Sequence, residues 1–229
     1  MMNLIYDFLN LIYPPKCCIC NTNLISGEDC ICLKCLCNLQ HSDDNANGLS
    51  DNFLFSSPGL PPSLAYCPFI FEKGSCTQTL IHKMKYEDKP QSGDRLAKYA
   101  AKELLRAESP LCNCDLIVPV PLHKKKLRKR GYNQSFWIAK GLHQVWKTEI
   151  NTNCIERIYN NQTQTQKDAY ERWKHKDLAF KVKEPETICG KSILIIDDVI
   201  TTGTTIKACA IAIAEAKPKE INFFALCHT

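Results

Sequence analysis

The clearest apolar run in the chain is Ser192–Ile196 (SILII), which reads as a fully buried strand. Directly after it, Gly203–Ala216 (GTTIKACAIAIAEA) has the Ala- and Ile-rich spacing of a helix, and Ile221–Leu226 reads as another strand. Upstream, Asp115–Val120 (DLIVPV) is a short apolar run suited to a buried parallel strand. Gln134–Trp146 places Phe136, Ile138, Leu142 and Val145 at helical spacing. Thr77–Tyr86 and Asp94–Leu105 read as helices, and Ala65–Phe71 and Cys154–Tyr159 as strands. Strands alternating with helices predict an α/β domain around a mostly parallel sheet over residues 65–229.

Other segments break the alternation. Met1–Tyr13 is apolar with one acid, and Pro14-Pro15 would end it as an amphipathic helix packed on the protein. It has neither the basic flank nor the cleavage site of a secretory signal. Residues 41–64 are rich in Asn, Ser, Gly and Pro and read as a linker. Asn160–Lys176 is polar and repetitive, the pattern of a mobile loop. Three regions result: a terminal module over 1–40, a linker over 41–64, and the α/β domain over 65–229.

Composition narrows the class. Of the 229 residues, 45% are hydrophobic and 23% charged, which excludes wholesale disorder. No stretch approaches the ~20 apolar residues of a membrane helix, so no membrane span is expected. There are 15 cysteines, seven of them between Cys17 and Cys37. In a cytoplasmic protein thiols stay reduced, and such a local cluster reads as a metal site before a disulfide set. The formal net charge is +5, and Asp115–Ile150 alone carries eight Lys/Arg against two acids. The remainder is therefore close to neutral, and this segment is where a polyanion would be met.

Three motifs carry chemistry. In the first, Cys17-x2-Cys20 and Cys32-x2-Cys35 can supply four thiolates to a closed tetrahedral shell, which suits structural Zn2+. A register through Cys30, an iron–sulfur cluster and a metal-free cysteine cluster are the alternatives. In the second, the run Ile193–Asp197-Asp198-x2-Thr201-Thr202-Gly203-Thr204-Thr205 delivers adjacent carboxylates to a strand end. A small-residue loop then exposes backbone N–H groups at a helix start, an anion site. Carboxylates for ribose hydroxyls and a loop for a 5′-phosphate would suit a phosphorylated sugar. In the third, Val118–Leu122 precedes Lys124–Arg130, with six basic residues in seven. Arg128 and Arg130 can clamp phosphate oxygens bidentately, and the run can also track a nucleic-acid backbone with Tyr132, Phe136 and Trp137 nearby to stack bases.

The run ILIIDDVITTGTT resembles the phosphoribosyl-pyrophosphate (PRPP) loop of type I phosphoribosyltransferases. The double CxxC, the Lys85-Tyr86 pair at the end of a helix, Val118–Leu122, Arg128-x-Arg130-Gly-Tyr-Asn133-Gln134 and the Arg157…Gln164…Glu171-Arg172…Phe180 series together resemble ComF-type competence proteins. The chain departs from that family at Asn161 and His175.

The resemblance implies a type I phosphoribosyltransferase fold behind a small zinc module. It implies PRPP, or a related 5′-phosphorylated sugar, bound with Mg2+: Asp197 and Asp198 on the ribose, Thr201, Thr202, Gly203, Thr204 and Thr205 around the 5′-phosphate. Val120, Pro121 and Leu122, with Arg128 and Arg130, would hold the pyrophosphate. Gln164 and Arg172 would act from a loop closing over the site, and Lys85 from a helix end. The implied role is handling single-stranded DNA in natural transformation, alongside a competence helicase or recombination protein. The intact PRPP loop leaves open a second reading, an active transferase moving phosphoribosyl to a nitrogen nucleophile.

Overall fold

The computed structural model describes residues 13–42, 63–87, 89–158 and 179–229. The predicted helix over Met1–Tyr13 and most of the 41–64 linker lie outside the described residues, as do Gln164 and Arg172.

Six strands form one parallel sheet. They are β1 (Ala65–Tyr66), β2 (Phe69–Ile70), β3 (Leu116–Pro119), β4 (Glu149–Ile150), β7 (Ser192–Ile200) and β8 (Glu220–His228). Their order is β1-β8-β7-β3-β4, with β2 also on β8. The predicted strand Ala65–Phe71 is present as two pieces in one register, Ala65 opposite Phe223 and Phe69 opposite Cys227. Pro68 lies between them and has no N–H to give the ladder.

The helices are α1 (Leu33–Cys37), α2 (Cys76–Tyr86), α3 (Gln91–Arg106), α4 (Lys124–Arg130), α5 (Gln134–Trp146) and α6 (Thr204–Ala214). Side chains alternate across the sheet with period two. Ile117, Leu194, Ile196, Phe224 and Leu226 join Leu80, Met84, Leu96, Ala100, Ile138 and Leu142 in one buried cluster, on the α2–α3–α5 side. Leu116, Val118, Ile193, Ile195, Ile221 and Phe223 join Ile206, Cys209 and Ile213 of α6 in the other. Nearly every residue of β3, β7 and β8 buries one way or the other, which explains the unbroken apolar runs in the sequence.

A separate antiparallel pair, β5 (Ile155–Arg157) and β6 (Phe180–Val182), contributes Ile155 and Phe180 to the α6-side cluster. β6 and the two-residue β4 carry too few apolar positions for a periodicity to announce them. The cysteine-rich segment also buries into the molecule: Cys17, Cys18, Ile31, Cys32, Cys35 and Leu39 belong to the α2–α3–α5 cluster. Arg95 on α3 holds Asp29 at 3.2 Å.

Helices α3 and α5 cross closely. Gly141 of α5 permits this, since a Cβ there would sit 2.4 Å from the Asp94 carbonyl oxygen and 2.7 Å from the Ala97 Cβ. Gln144 Nε2 donates to Asp94 Oδ1 at 3.1 Å, and Trp146 Nε1 donates to the Ala101 carbonyl at 3.1 Å. The backbone oxygen cannot move without unwinding α3, so Gly141→Ala should destabilise the protein by about 1–3 kcal/mol. A Tm lowered by several degrees in thermal unfolding is the expected result.

Candidate functional site

The sheet order creates the site. From β3 the chain leaves through α4 and α5 to β4 at one edge; from β7 it leaves through α6 to β8 on the other side. Crossovers that diverge from neighbouring strands open a crevice at their carboxyl ends, where ligands of open α/β sheets bind. Val120–Leu122 and Asp197–Thr205 meet there, with the Val120 N–H on the Ile196 carbonyl at 2.8 Å.

Strand β7 is longer than its apolar run, pairing with β8 as far as Ile200 opposite His228. Asp197 and Asp198 therefore sit inside a strand, held rigidly. Asp197 Oδ1 accepts from the Asp198 N–H at 2.8 Å and from the Ser135 hydroxyl at 3.3 Å. Asp198 is buried, and its Oδ2 is 2.9 Å from Lys85 Nζ at the end of α2. Burial, and then the adjacent Asp198 charge, push the Asp197 carboxyl up to about 7.

Three further bonds fix the parts around the carboxylates. Asn133 caps α5, accepting from the Ser135 N–H at 3.1 Å and donating to the Val120 carbonyl at 3.0 Å. The Tyr132 hydroxyl donates to the Met84 carbonyl at 2.7 Å. These ties join the end of β3, the start of α5 and the last turn of α2. Tyr132 is thereby committed to the scaffold rather than presented for stacking.

Beyond β7, Gly203 takes the left-handed conformation at φ 67° as the N-cap of α6. Other residues rarely adopt it, and here it turns the chain so that the N–H groups of the first turn face outward. Thr202 Oγ1 lies 2.8 Å from Thr204 Oγ1. Asp197, Thr201, Thr202, Gly203, Thr204 and Thr205 line a small open cleft. A phosphate there would meet N–H groups, hydroxyls and the positive end of a helix.

Positive charge faces the carboxylates. Burial and then the charges of Arg157, Arg130 and Lys85 press the Lys126 ammonium below its usual range. The Arg157 guanidinium lies 5.3 Å from the centre of the Phe180 ring, and its buried Nε has no hydrogen-bond partner among the described residues. Burial lowers the Arg157 pKa, and attraction to Asp197 opposes that. An unpartnered donor and crowded cations beside two carboxylates suit a ligand that brings hydroxyls to the acids and several anionic oxygens to the bases.

The predicted residues thus divide. Lys85, Asp197, Asp198, Val120–Leu122, Thr201–Thr205 and Arg130 lie around one crevice, whereas Arg128 is exposed on α4. The turn expected after Leu122 is the single residue His123, which caps α4, its Nδ1 accepting from the Lys125 N–H at 3.3 Å. Ser135 was not legible as a site residue: a Ser two places past a helix-capping Asn has no distinctive pattern. Arg157 entered only through the family series, because a lone cation in a short strand carries no signal.

The second cluster lies in the cysteine-rich segment. The Sγ atoms of Cys17, Cys20, Cys32 and Cys35 are all within 4.8 Å of one another and can hold a metal ion. The N–H groups of Ile19 and Cys32 point at Cys17 Sγ, each at 3.4 Å, and that of Cys35 at Cys32 Sγ at 3.4 Å. Such donors favour thiolates. Hydrogen bonds from Thr22 draw Cys20 down to about 6, whereas burial pushes Cys35 up, a cost that a bound cation would remove. Cys30 donates no ligand to this set.

Residues 150–229 match the phosphoribosyl transferase domain. That match takes in β7, α6 and β8, the elements that carry Asp197, Asp198 and Thr201–Thr205. Over 96% of its length the chain is 25% identical to DNA utilization protein YhgH of Escherichia coli strain K12, covering 99% of that protein. Over 48% of its length it is 30% identical to competence protein ComFC of Bacillus subtilis, covering 43% of it. Competence protein F of Haemophilus influenzae is 25% identical over 64% of this chain and 66% of its own. The ComF-type resemblance read from the motifs is borne out by these relatives. Among solved structures, the glutamine PRPP amidotransferase of B. subtilis is similar over 63% of this chain and 30% of its own, at 17% identity and a TM-score of 0.45. Among the described residues no helix is long and apolar enough to cross a membrane.

The Asp197 shift has a consequence for stability. Its pKa is about 7 in the folded protein against an ordinary 3.8. The folded state thus holds the proton more tightly, and stability falls as pH rises from about 4 through 7. Asp197→Asn removes that loss. The variant should gain more in Tm over the wild type at pH 8 than at pH 5, measured by thermal unfolding across that range.

Proposed function

We infer that the protein binds PRPP, or a related 5′-phosphorylated sugar, with Mg2+ in the crevice between β3 and β7, and that it serves single-stranded DNA handling during natural transformation. The observation that carries the sugar-phosphate reading is the meeting of Asp197 and Asp198 with the Thr201–Thr205 loop at one strand end. Vicinal hydroxyls bond to the carboxylates and the 5′-phosphate to the loop N–H groups. The diphosphate lies toward Arg130 and Lys126, with Mg2+ held mainly by its oxygens and water. When bound, Mg2+ neutralises diphosphate charge.

The DNA reading is supported by the basic run Lys124–Arg130 and by the relatives' names, DNA utilization protein and competence protein. A competence helicase or recombination protein in the cytoplasm would be its partner. The four-thiol cluster is a closed structural Zn2+ site in this reading, because no ligand position is left for chemistry.

A second reading is favoured by the Lys85–Asp198 pair, a rigid acid–base contact beside the place of a ribose. It makes the protein an active transferase that moves phosphoribosyl to a nitrogen nucleophile. Pyrophosphate release from PRPP, dependent on an added nucleophile and abolished in Asp198→Asn, would support it. Binding without turnover across a panel of amines and nucleobases would sink it.

Two measurements test the main reading. Calorimetric titration of Mg2+ and PRPP into the wild type should give saturable binding, lost at least tenfold in Asp197→Asn/Asp198→Asn. Absence of binding to the wild type would overturn the sugar-phosphate assignment. For the metal, elemental analysis should find one zinc per chain in the wild type and less in Cys32→Ser, with a lowered Tm. Full zinc content in the variant would remove Cys32 from the ligand set.

A further inference from the structure

Helix α4 is unusual in what it lacks. None of its seven residues is buried, so its sequence is not dictated by packing. Lys124 and Arg128, Lys125 and Lys129, and Lys126 and Arg130 stand four apart, and like charges at that spacing weaken a helix. Its first turn holds three lysines and no acid, against the helix dipole. Local stability is thus given up for a dense positive ridge, a pattern that a polyanion relieves.

An aromatic ring stands at the C-terminal end of this ridge. Tyr86, in the last turn of α2, is 67% exposed although its neighbours Leu80, Ile81 and Met84 are buried. The Arg130 guanidinium lies 5.4 Å from the centre of the Tyr86 ring, and the His82 ring 5.0 Å away. The Tyr132–Met84 bond holds the end of α4 against the end of α2, which keeps Arg130 and Tyr86 together. On α5, Lys140 Nζ lies 4.6 Å from the centre of the Trp137 ring. Each ring therefore stands next to a cation within cation–π range. Rings paired with cations beside a charged ridge make a stacking platform for unpaired bases whose phosphates follow the ridge.

We propose that Tyr86, steadied by Arg130, is a base-stacking residue for single-stranded nucleic acid running along α4. The inference rests on the DNA reading above and assigns it a surface. Tyr86 lies outside the basic segment and beside Lys85, so the strand passes the mouth of the sugar-phosphate crevice. A duplex keeps its bases stacked inside and offers the ring only backbone.

Fluorescence anisotropy tests this with a labelled single-stranded oligonucleotide, the same strand made abasic, and its duplex. The wild type should bind the normal strand more tightly than either alternative. Tyr86→Ala should weaken binding to the normal strand by roughly 5- to 150-fold, the range of one base stack. The same variant should leave the abasic strand unaffected, and Tyr86→Phe should restore most of the loss. An unchanged Tm for Tyr86→Ala separates the effect from unfolding. Equal binding of normal and abasic strands, or tighter binding of the duplex, overturns the stacking role. So does an unaltered affinity in Tyr86→Ala; the DNA reading survives these outcomes except tighter duplex binding, which overturns the single-stranded reading as well. Failure of the wild type to bind the strand at all overturns both. Lys124/Lys125/Lys126→Ala gives a control that weakens normal and abasic strands alike and flattens the salt dependence.

Discussion

Two adjacent carboxylates at the end of a buried strand repel each other and lose solvation, and most of the crevice is an answer to that cost. Lys85 neutralises Asp198 at 2.9 Å. Asp197 is given two hydrogen-bond donors, Ser135 and its neighbour's N–H. Arg157 lies near enough to attract it. Each partner comes from a different element: the end of α2, the start of α5 and β5. Inside the fold these partners offset part of the burial that pushes the Asp197 carboxyl up, and they do so only while their elements stay docked. Binding site and tertiary packing are thus one problem.

That dependence reaches the cysteine-rich segment. Its buried side chains, Cys17, Cys32, Cys35 and Leu39, sit in the cluster that also seats Met84 and Leu80 of α2. Asp29 is tied to Arg95 of α3. A metal held by the four thiols would fix this layer, and the layer supports the helix that delivers Lys85. The metal site needs no direct contact with a ligand to matter to the crevice.

The crevice and the basic ridge share a border. Lys126 belongs to α4, yet it feels the charges of Arg157 and Lys85 as well as that of its helix neighbour Arg130. One set of cations could therefore meet the proposed sugar phosphate on one side and a chain of phosphates on the other. Occupation of either side changes the field on the other, because the separation is short and the intervening volume partly excludes water.

The central strands and the long helices were legible because their period is strong: Ser192–Ile196, Ile221–Leu226 and Gln134–Trp146 bury one face or both over many residues. The carboxylate pair, the Thr-rich loop and the double CxxC were legible because each is local, its chemistry and spacing written in a few consecutive residues. Pro68, by removing one N–H, already marks where the first strand breaks. Other features belong to the tertiary structure. The partners of Asp197 and Asp198 are 62 and 113 positions away in the chain, at Ser135 and Lys85. Nothing at those positions announces the contact. Whether α4 would be a loop or a helix depended on a cap, not on periodicity, since none of its side chains is buried. The exposure of Tyr86 and the withdrawal of Tyr132 follow from how α2 meets the turn before α5. The sequence by itself determined the period and the local chemistry; folding decided which charges meet across long separations, because only the sheet order brings those strand and helix ends together.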